Sequence, residues 1–229
     1  VRTSTLSTPI KTLLLDLDDT LYPPDNGVWR VVSDRIDSYM TDRLGLSSEE
    51  AQRLRTLYLD TQGTTLRGLM RDFQIDPPAY LDYVHQLDYE RLIQFDPALR
   101  HALEALPQQK VVFTNASADH ARKVLAALHL TDLFSGLVDI VALDYANKPE
   151  PEAYTRALAL IGESHASACL IADDRIRNLL PARAMGMMTV LVGSGPTDEV
   201  DARIDRLADL PSALPSLLDG GVRPDETRG

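Results

Sequence analysis

A chain of 229 residues that is 44% hydrophobic and 25% charged can bury a substantial core, as one large domain or as one domain carrying an insertion. No apolar run approaches the about 20 residues of a membrane span, and a formal charge of -11 argues against nucleic-acid polymers and anionic membranes as partners, since both need a basic surface. The single cysteine, Cys169, excludes an intramolecular disulfide and a cysteine-based zinc site and fits a reducing cytoplasm, and the polar opening VRTSTLSTP lacks the apolar segment of a signal peptide.

Residues 10–15 predict a first strand, ending in three leucines. Three carboxylates follow, Asp16, Asp18 and Asp19, before a Thr-Leu-Tyr-Pro-Pro exit that suits neither strand nor helix. From Val28 to Gly45 the residues Val28, Val31, Val32, Ile36, Met40 and Leu44 fall at helical spacing, with the glycine as C-cap. A second helix spans Ser48 to Gln62, opened by a Ser-Ser-Glu-Glu cap, and shorter ones cover about 64–72 and 78–86, separated by Asp76-Pro77-Pro78. No strand is evident between Leu21 and Phe95. Such a stretch is too long for one crossover helix, so residues 21–95 are expected to form an inserted all-helical cap subdomain over a core of 1–20 and 96–218. Trp29, near the start of the first cap helix, reads as core or hinge packing.

After Asp96-Pro97 an α/β rhythm resumes: helix 97–106, strand 110–114, helix 118–130, strand 137–141, helix 150–161, strand 168–172, helix 175–186 and strand 188–192. An acidic helix is expected near 197–209, and 219–229 reads as a disordered tail. Strands alternating with helices of this length give an α/β fold with a doubly wound parallel sheet.

Polar residues recur at the ends of these strands: Asp16 and Asp18 after the first, Thr114-Asn115 after the second and Asp173-Asp174 after the fourth, with Lys148 in a turn before a helix. Taken singly, the pairs at 114–115 and 173–174 fit helix caps, and Lys148 fits a solvated lysine. Together they lie on one edge of a parallel sheet, where ligands bind. The chemistry that fits is phosphoryl transfer through an aspartyl-phosphate. Asp16 would be the nucleophile, and Asp18 would protonate the leaving oxygen and then activate water, swinging freely with its turn. In so acidic a chain a phosphate needs local positive charge. Magnesium, a hard cation, could be held by Asp16, the Asp18 carbonyl, Asp173 and Asp174; Lys148 would offset further charge; Thr114 and the amides around Asn115 would bind phosphoryl oxygens.

In this order, DLDDT, FTN, a lysine before proline and ADD resemble the four motifs of the haloacid dehalogenase superfamily of phosphatases, over nearly the whole chain. The resemblance implies a Rossmann-like core, Mg2+ dependence, Asp16 as nucleophile, Asp18 as acid/base, a helical cap, and Asp174 rather than Asp173 as direct metal ligand. A closer likeness, in DDTLYPP, GTTLRGLM, FTNAS and DDRIRNLLPARAMGM, is to the pyrimidine 5'-nucleotidase branch, which implies a nucleoside monophosphate such as UMP or CMP as substrate. Arg175 departs from that pattern, since many relatives carry a small hydroxyl residue there. Tyr22, Arg67 and His85 are the candidates for contacting substrate beyond its phosphate; a salt bridge across the cap is the competing role for Arg67, and a satisfied histidine for His85.

Other readings are a phosphatase of a sugar phosphate or other small metabolite, a phospho-acceptor domain, and a non-catalytic binding protein. A phospho-acceptor domain places its acidic pair before the phosphorylated aspartate, whereas here the pair comes last. Dehalogenation needs no metal and usually no second acid, so Asp18 argues against it.

Overall fold

The structure, a computed structural model, describes residues 9–218. Its strands are β1 (Thr12–Leu15), β2 (Gln109–Phe113), β3 (Gly136–Val138), β4 (Cys169–Asp173), β5 (Met188–Val192) and β6 (Ala202–Ile204), which form one six-stranded sheet in the order β3-β2-β1-β4-β5-β6. Every pairing is parallel. This is the doubly wound Rossmann-like arrangement, and β1 stands at its centre, where the chain crosses from one half of the sheet to the other.

A central strand must be apolar on both faces. Leu13 and Leu15 pack into one core with Val112, Leu170 and Val190, while Leu14 faces the other with Val111, Phe113 and Ile171. Burial of Leu13, Leu14, Leu15 and Leu17, each fully inaccessible, is worth about 1.5–3 kcal/mol apiece. It fixes the chain on both sides of Asp16, so a charged group can be held at the strand end.

Five of the six α-helices between β1 and β2 precede Asp96: α1 (Val28–Leu44), α2 (Ser48–Gln62), α3 (Thr65–Asp72), α4 (Pro77–Val84) and α5 (Tyr89–Leu92). Among the described residues no strand interrupts them. Side chains of Ser47, Thr64, Asp76 and Asp88 cap the last four, and Gly45 closes α1 at φ 71°. Inside the block the Tyr39 ring meets Tyr80 edge-on at 5.0 Å, and Gly68 leaves room for the Tyr58 ring. The remaining helices are α6 (Pro97–Glu104), α7 (Ala118–Ala127), α8 (Pro151–Leu160), α9 (Ile176–Ala184) and α10 (Leu210–Ala213). Among the described residues no helix is long and apolar enough to cross a membrane.

Two expectations need correction. The acidic helix near 197–209 is instead β6, a short 3-10 turn at Leu207–Asp209 and then α10. Val200 and Ile204 are buried at strand spacing, and the Asp201 side chain accepts from both the Thr189 amide and hydroxyl, which draws this segment alongside β5. The third strand is shorter than 137–141, because the Asp139 carboxylate accepts from the amides of Ala118 and Ala142 and turns the chain after Val138. The expected tail at 219–229 lies outside the described residues.

Candidate active site

Strand register gathers the polar residues. Leu15 pairs with Val112 on one side and Ala172 on the other, so Asp16, Thr114 and Asp173 emerge at nearly one level beyond the carboxyl ends of β1, β2 and β4. Lys148 reaches them from the turn before α8. Its side chain is 1% exposed, and Nζ lies 2.7 Å from Asp16 Oδ1 and 2.7 Å from Asp173 Oδ2. Burial alone would lower the lysine's pKa; the two facing carboxylates outweigh it and hold the group well above its ordinary value. A solvated surface role for Lys148 is thereby excluded.

Asp16 also accepts from the Thr20 hydroxyl at 3.2 Å through Oδ2. Its burial, and after that the charges of Asp173 and Asp174, push the carboxyl up to about 8 against the opposing pull of Lys148. Asp173 is saturated: Oδ1 accepts from Arg175 N and Asn178 Nδ2, and Oδ2 from Lys148 Nζ and Asn178 Nδ2, all within 3.0 Å. Asp174 lines the cavity; among the described residues its ion-pair partner is the Arg175 guanidinium at 3.8 Å, and burial followed by the Asp173 charge raises it to about 7.

Ligand oxygens of Asp16, Asp173 and Asp174 lie within 4.8 Å of one another. Three carboxylates here share one lysine, and such a set of hard oxygens suits a divalent cation such as Mg2+. Asp174, whose oxygens are the less committed, is better placed than Asp173 to bind it directly.

Asp18 faces other partners. Its Oδ1 accepts from the Tyr22 hydroxyl and lies 2.7 Å from His120 Nε2. Burial would raise this carboxyl, yet the charge and hydrogen bond of His120, with the Tyr22 bond, hold it at about 2. Asp18 is therefore anchored where free swinging was expected; the neighbouring Asp19 turns the chain at φ 60°. Thr114 is buried and its hydroxyl accepts from Ala116 N at 3.0 Å. Asn115 spends its side chain on the main chain of Lys148, and of the amides that follow it Ala116 N donates to Thr114 and Ala118 N to Asp139.

Among the candidates for wider substrate contact, Tyr22 and His85 line the cavity; the Tyr22 hydroxyl is engaged on Asp18, and His85 uses Nδ1 on Ser117 Oγ at 3.1 Å. Arg67 is ion-paired with Glu150, just ahead of α8, and is not on the cavity wall. Trp29 lines the cavity beneath the Arg175 guanidinium. Sequence reasoning passed over Thr20, Asn178 and His120. The first two lie inside quoted motifs, and His120 sits one helical turn after the Ser117 cap.

A family model of haloacid dehalogenase-like hydrolases matches residues 10–186. The chain belongs to that family. This hydrolase is 27% identical over 195 residues to Phosphate metabolism protein 8 of Saccharomyces cerevisiae, an alignment covering 79% of this chain and 61% of that relative, so the chain spans about three fifths of the relative's length. A haloacid dehalogenase-type phosphatase from Thermococcus onnurineus superposes with a TM-score of 0.64 at 20% identity, covering 94% of the hydrolase and 100% of that chain. An L-2-haloacid dehalogenase from Xanthobacter autotrophicus gives 0.58 at 17%, covering 90% and 98%. These structural likenesses establish the fold; what chemistry the hydrolase performs rests on its own residues.

Proposed function

We propose that this hydrolase is a Mg2+-dependent phosphomonoesterase of nucleoside 5'-monophosphates, with pyrimidine nucleotides such as UMP and CMP favoured, and that the helical block at 21–95 caps its site. The observation that carries the reading is the contrast between two carboxylates two residues apart: Asp16 faces Lys148 and the acid pair, whereas Asp18 is turned to Tyr22 and His120. One suits a nucleophile and the other an acid/base.

In its ionised form a carboxylate oxygen of Asp16 attacks phosphorus, the bond to the ester oxygen breaks, and Asp18 passes to that oxygen a proton that its resting carboxylate takes up from the bound phosphate monoanion. In the second half Asp18 takes a proton from water as the water attacks the aspartyl-phosphate, releasing inorganic phosphate and restoring Asp16. Lys148 neutralises part of the charge that nucleophile and phosphate bring together, and Thr114 with the loop amides fixes the phosphoryl oxygens. A cation held by Asp16, Asp174 and the Asp18 carbonyl, with Asp173 behind them, would supply the remaining positive charge that this acidic site lacks.

The substrate assignment rests on the likeness of DDTLYPP, GTTLRGLM, FTNAS and DDRIRNLLPARAMGM to pyrimidine nucleotidases. It is supported by the cavity wall next to the acids, where Val28, Trp29, Val32, Ile36 and Tyr80 offer apolar and aromatic surface that suits a planar base better than a sugar. The test is phosphate release from UMP, CMP, AMP, GMP, several sugar phosphates and p-nitrophenyl phosphate, each with Mg2+ and with EDTA. Mg2+-dependent release fastest on UMP and CMP supports the full reading. Preference for a sugar phosphate would overturn the substrate, and no release from any ester would overturn the reaction.

A further inference from the structure

His120 lies on α7, outside every element that the proposed reaction uses, yet it is 1% exposed and its ring links the acid/base carboxylate to the helical block. Nε2 is 2.7 Å from Asp18 Oδ1, and Nδ1 is 2.9 Å from the Tyr89 hydroxyl. That hydroxyl also donates to the His85 carbonyl at 2.8 Å, and a carbonyl can only accept. The one proton of Tyr89 is thus committed to His85, so towards His120 the hydroxyl accepts, and Nδ1 must carry a hydrogen. This fixes the ring. Nε2 in turn donates to Asp18 Oδ1, as the Tyr22 hydroxyl does, so a proton that the acid delivers leaves from Oδ2. The His85 ring stacks on His120 at 4.3 Å, and Ser117 Oγ both contacts His85 Nδ1 and accepts from His120 N, so the imidazole is held on its face as well as its edges.

Both contacts to Asp18, from Tyr22 and from His120, fall on Oδ1; among the described residues no hydrogen bond falls on Oδ2. One oxygen is clamped, and the other is left towards the cavity that Asp18 lines.

We infer that His120 is a positioning residue for the acid/base: with Tyr22 it clamps Oδ1 of Asp18 and presents Oδ2 to the leaving oxygen, and Tyr89 of the helical block sets the orientation of the His120 ring. The inference rests on the phosphomonoesterase reading. It makes the aim of the acid depend on the seating of the helical block, because Tyr89 and His85 come from that block and His120 and Ser117 from the core.

The test uses leaving groups of different need. An alkyl ester requires its departing oxygen to be protonated, whereas p-nitrophenolate leaves largely unaided, so a misaimed acid harms the first and spares the second. The measurement is kcat/KM for UMP, or for the best alkyl phosphate of the panel, beside p-nitrophenyl phosphate. His120→Ala is expected to lower the alkyl value by about 10- to 100-fold and the aryl value by less than about threefold. His120→Gln, whose amide can still donate to Oδ1, should recover most of the loss, and Tyr89→Phe should lower the alkyl value alone by a few-fold, about 3 to 10. Since the alanine variant removes a buried ring, thermal unfolding accompanies each assay; if that variant does not fold, the glutamine and phenylalanine variants decide. Equal losses on both esters, or none on either, would overturn the inference while leaving the phosphatase reading intact. Failure of the unaltered enzyme to hydrolyse either ester would overturn that reading, and this inference with it.

Discussion

Asn115 grips both ends of the Lys148 residue: its Oδ1 accepts from Lys148 N at 2.8 Å and its Nδ2 donates to Lys148 O at 3.0 Å. A fully buried ammonium is tolerated only with accurate geometry, and here the accuracy comes from a side chain on the neighbouring strand end. Asn115→Ala should leave the buried Lys148 amide unsatisfied, while the carbonyl keeps its bond from Asn147 Nδ2 at 2.9 Å, destabilising the protein by about 1–3 kcal/mol. By letting Lys148 drift about 1 Å it should cost about 100-fold in kcat. Phosphate release and urea unfolding measure the two effects, and a variant of normal activity would remove Asn115 from the site.

The acid cluster sets a pH dependence of stability. Burial, then neighbouring charge, raises Asp16 to about 8 and Asp174 to about 7 in the folded state. A carboxyl whose folded value exceeds its unfolded value, about 3.9, binds more protons in the native state between the two values, so unfolding free energy falls as pH rises through that window. In EDTA the Tm should therefore decline from about pH 5 to about pH 8. Asp18, held at about 2, acts with opposite sign but only at acid pH, as its carboxylate protonates, and does not mask the decline. Mg2+ should raise the Tm more at the upper end, where ionised carboxylates attract it. A flat Tm, or an equal Mg2+ effect throughout, would contradict this.

The polar cluster at the sheet edge was legible because Asp16, Thr114 and Asp173 each interrupt an apolar run at the end of a buried strand, and parallel register brings such positions level without further information. Lys148 was legible only in company with them, since nothing in its own neighbours marks it as buried. His120 was not: its link to Asp18 is made by the packing of α7 against the helical block, a relation that leaves no spacing in the chain. At 197–209 the acidic residues masked the alternation of Val200, Ala202 and Ile204, which is the pattern of a strand. Asn115 stands at the end of β2, where its side chain serves the lysine, a pairing that leaves no spacing in the chain.

Arg67 separates a specificity role from a structural one. Its guanidinium pairs with Glu150 between the helical block and the core, the two side chains being 36% and 33% exposed. A pair so exposed contributes about 0–1 kcal/mol. Arg67→Ala should lower the Tm by no more than about 4 °C. Because the residue is off the cavity wall, the ratio of kcat/KM between UMP and p-nitrophenyl phosphate should stay within about twofold. A loss confined to one base would return Arg67 to the substrate.

Gly63 joins α2 to α3 at φ 82°, where a Cβ would overlap Asn147 Nδ2 and lie 2.8 Å from the Lys148 carbonyl oxygen. Two costs coincide: a left-handed backbone that an L side chain resists, about 1–3 kcal/mol, and a collision with main chain that cannot rotate away. Gly45, at φ 71° with nothing within 4 Å of its own Cβ position, carries the first cost alone. Gly63→Ala should therefore unfold at a lower temperature than Gly45→Ala, by several degrees. Activity sharpens the comparison. Gly45→Ala is expected to turn over substrate normally once folded, whereas Gly63→Ala pushes on the loop that aims Lys148 at Asp16 and should lose at least about tenfold in kcat. Equal activity in the two variants would mean that the loop yields without moving the lysine.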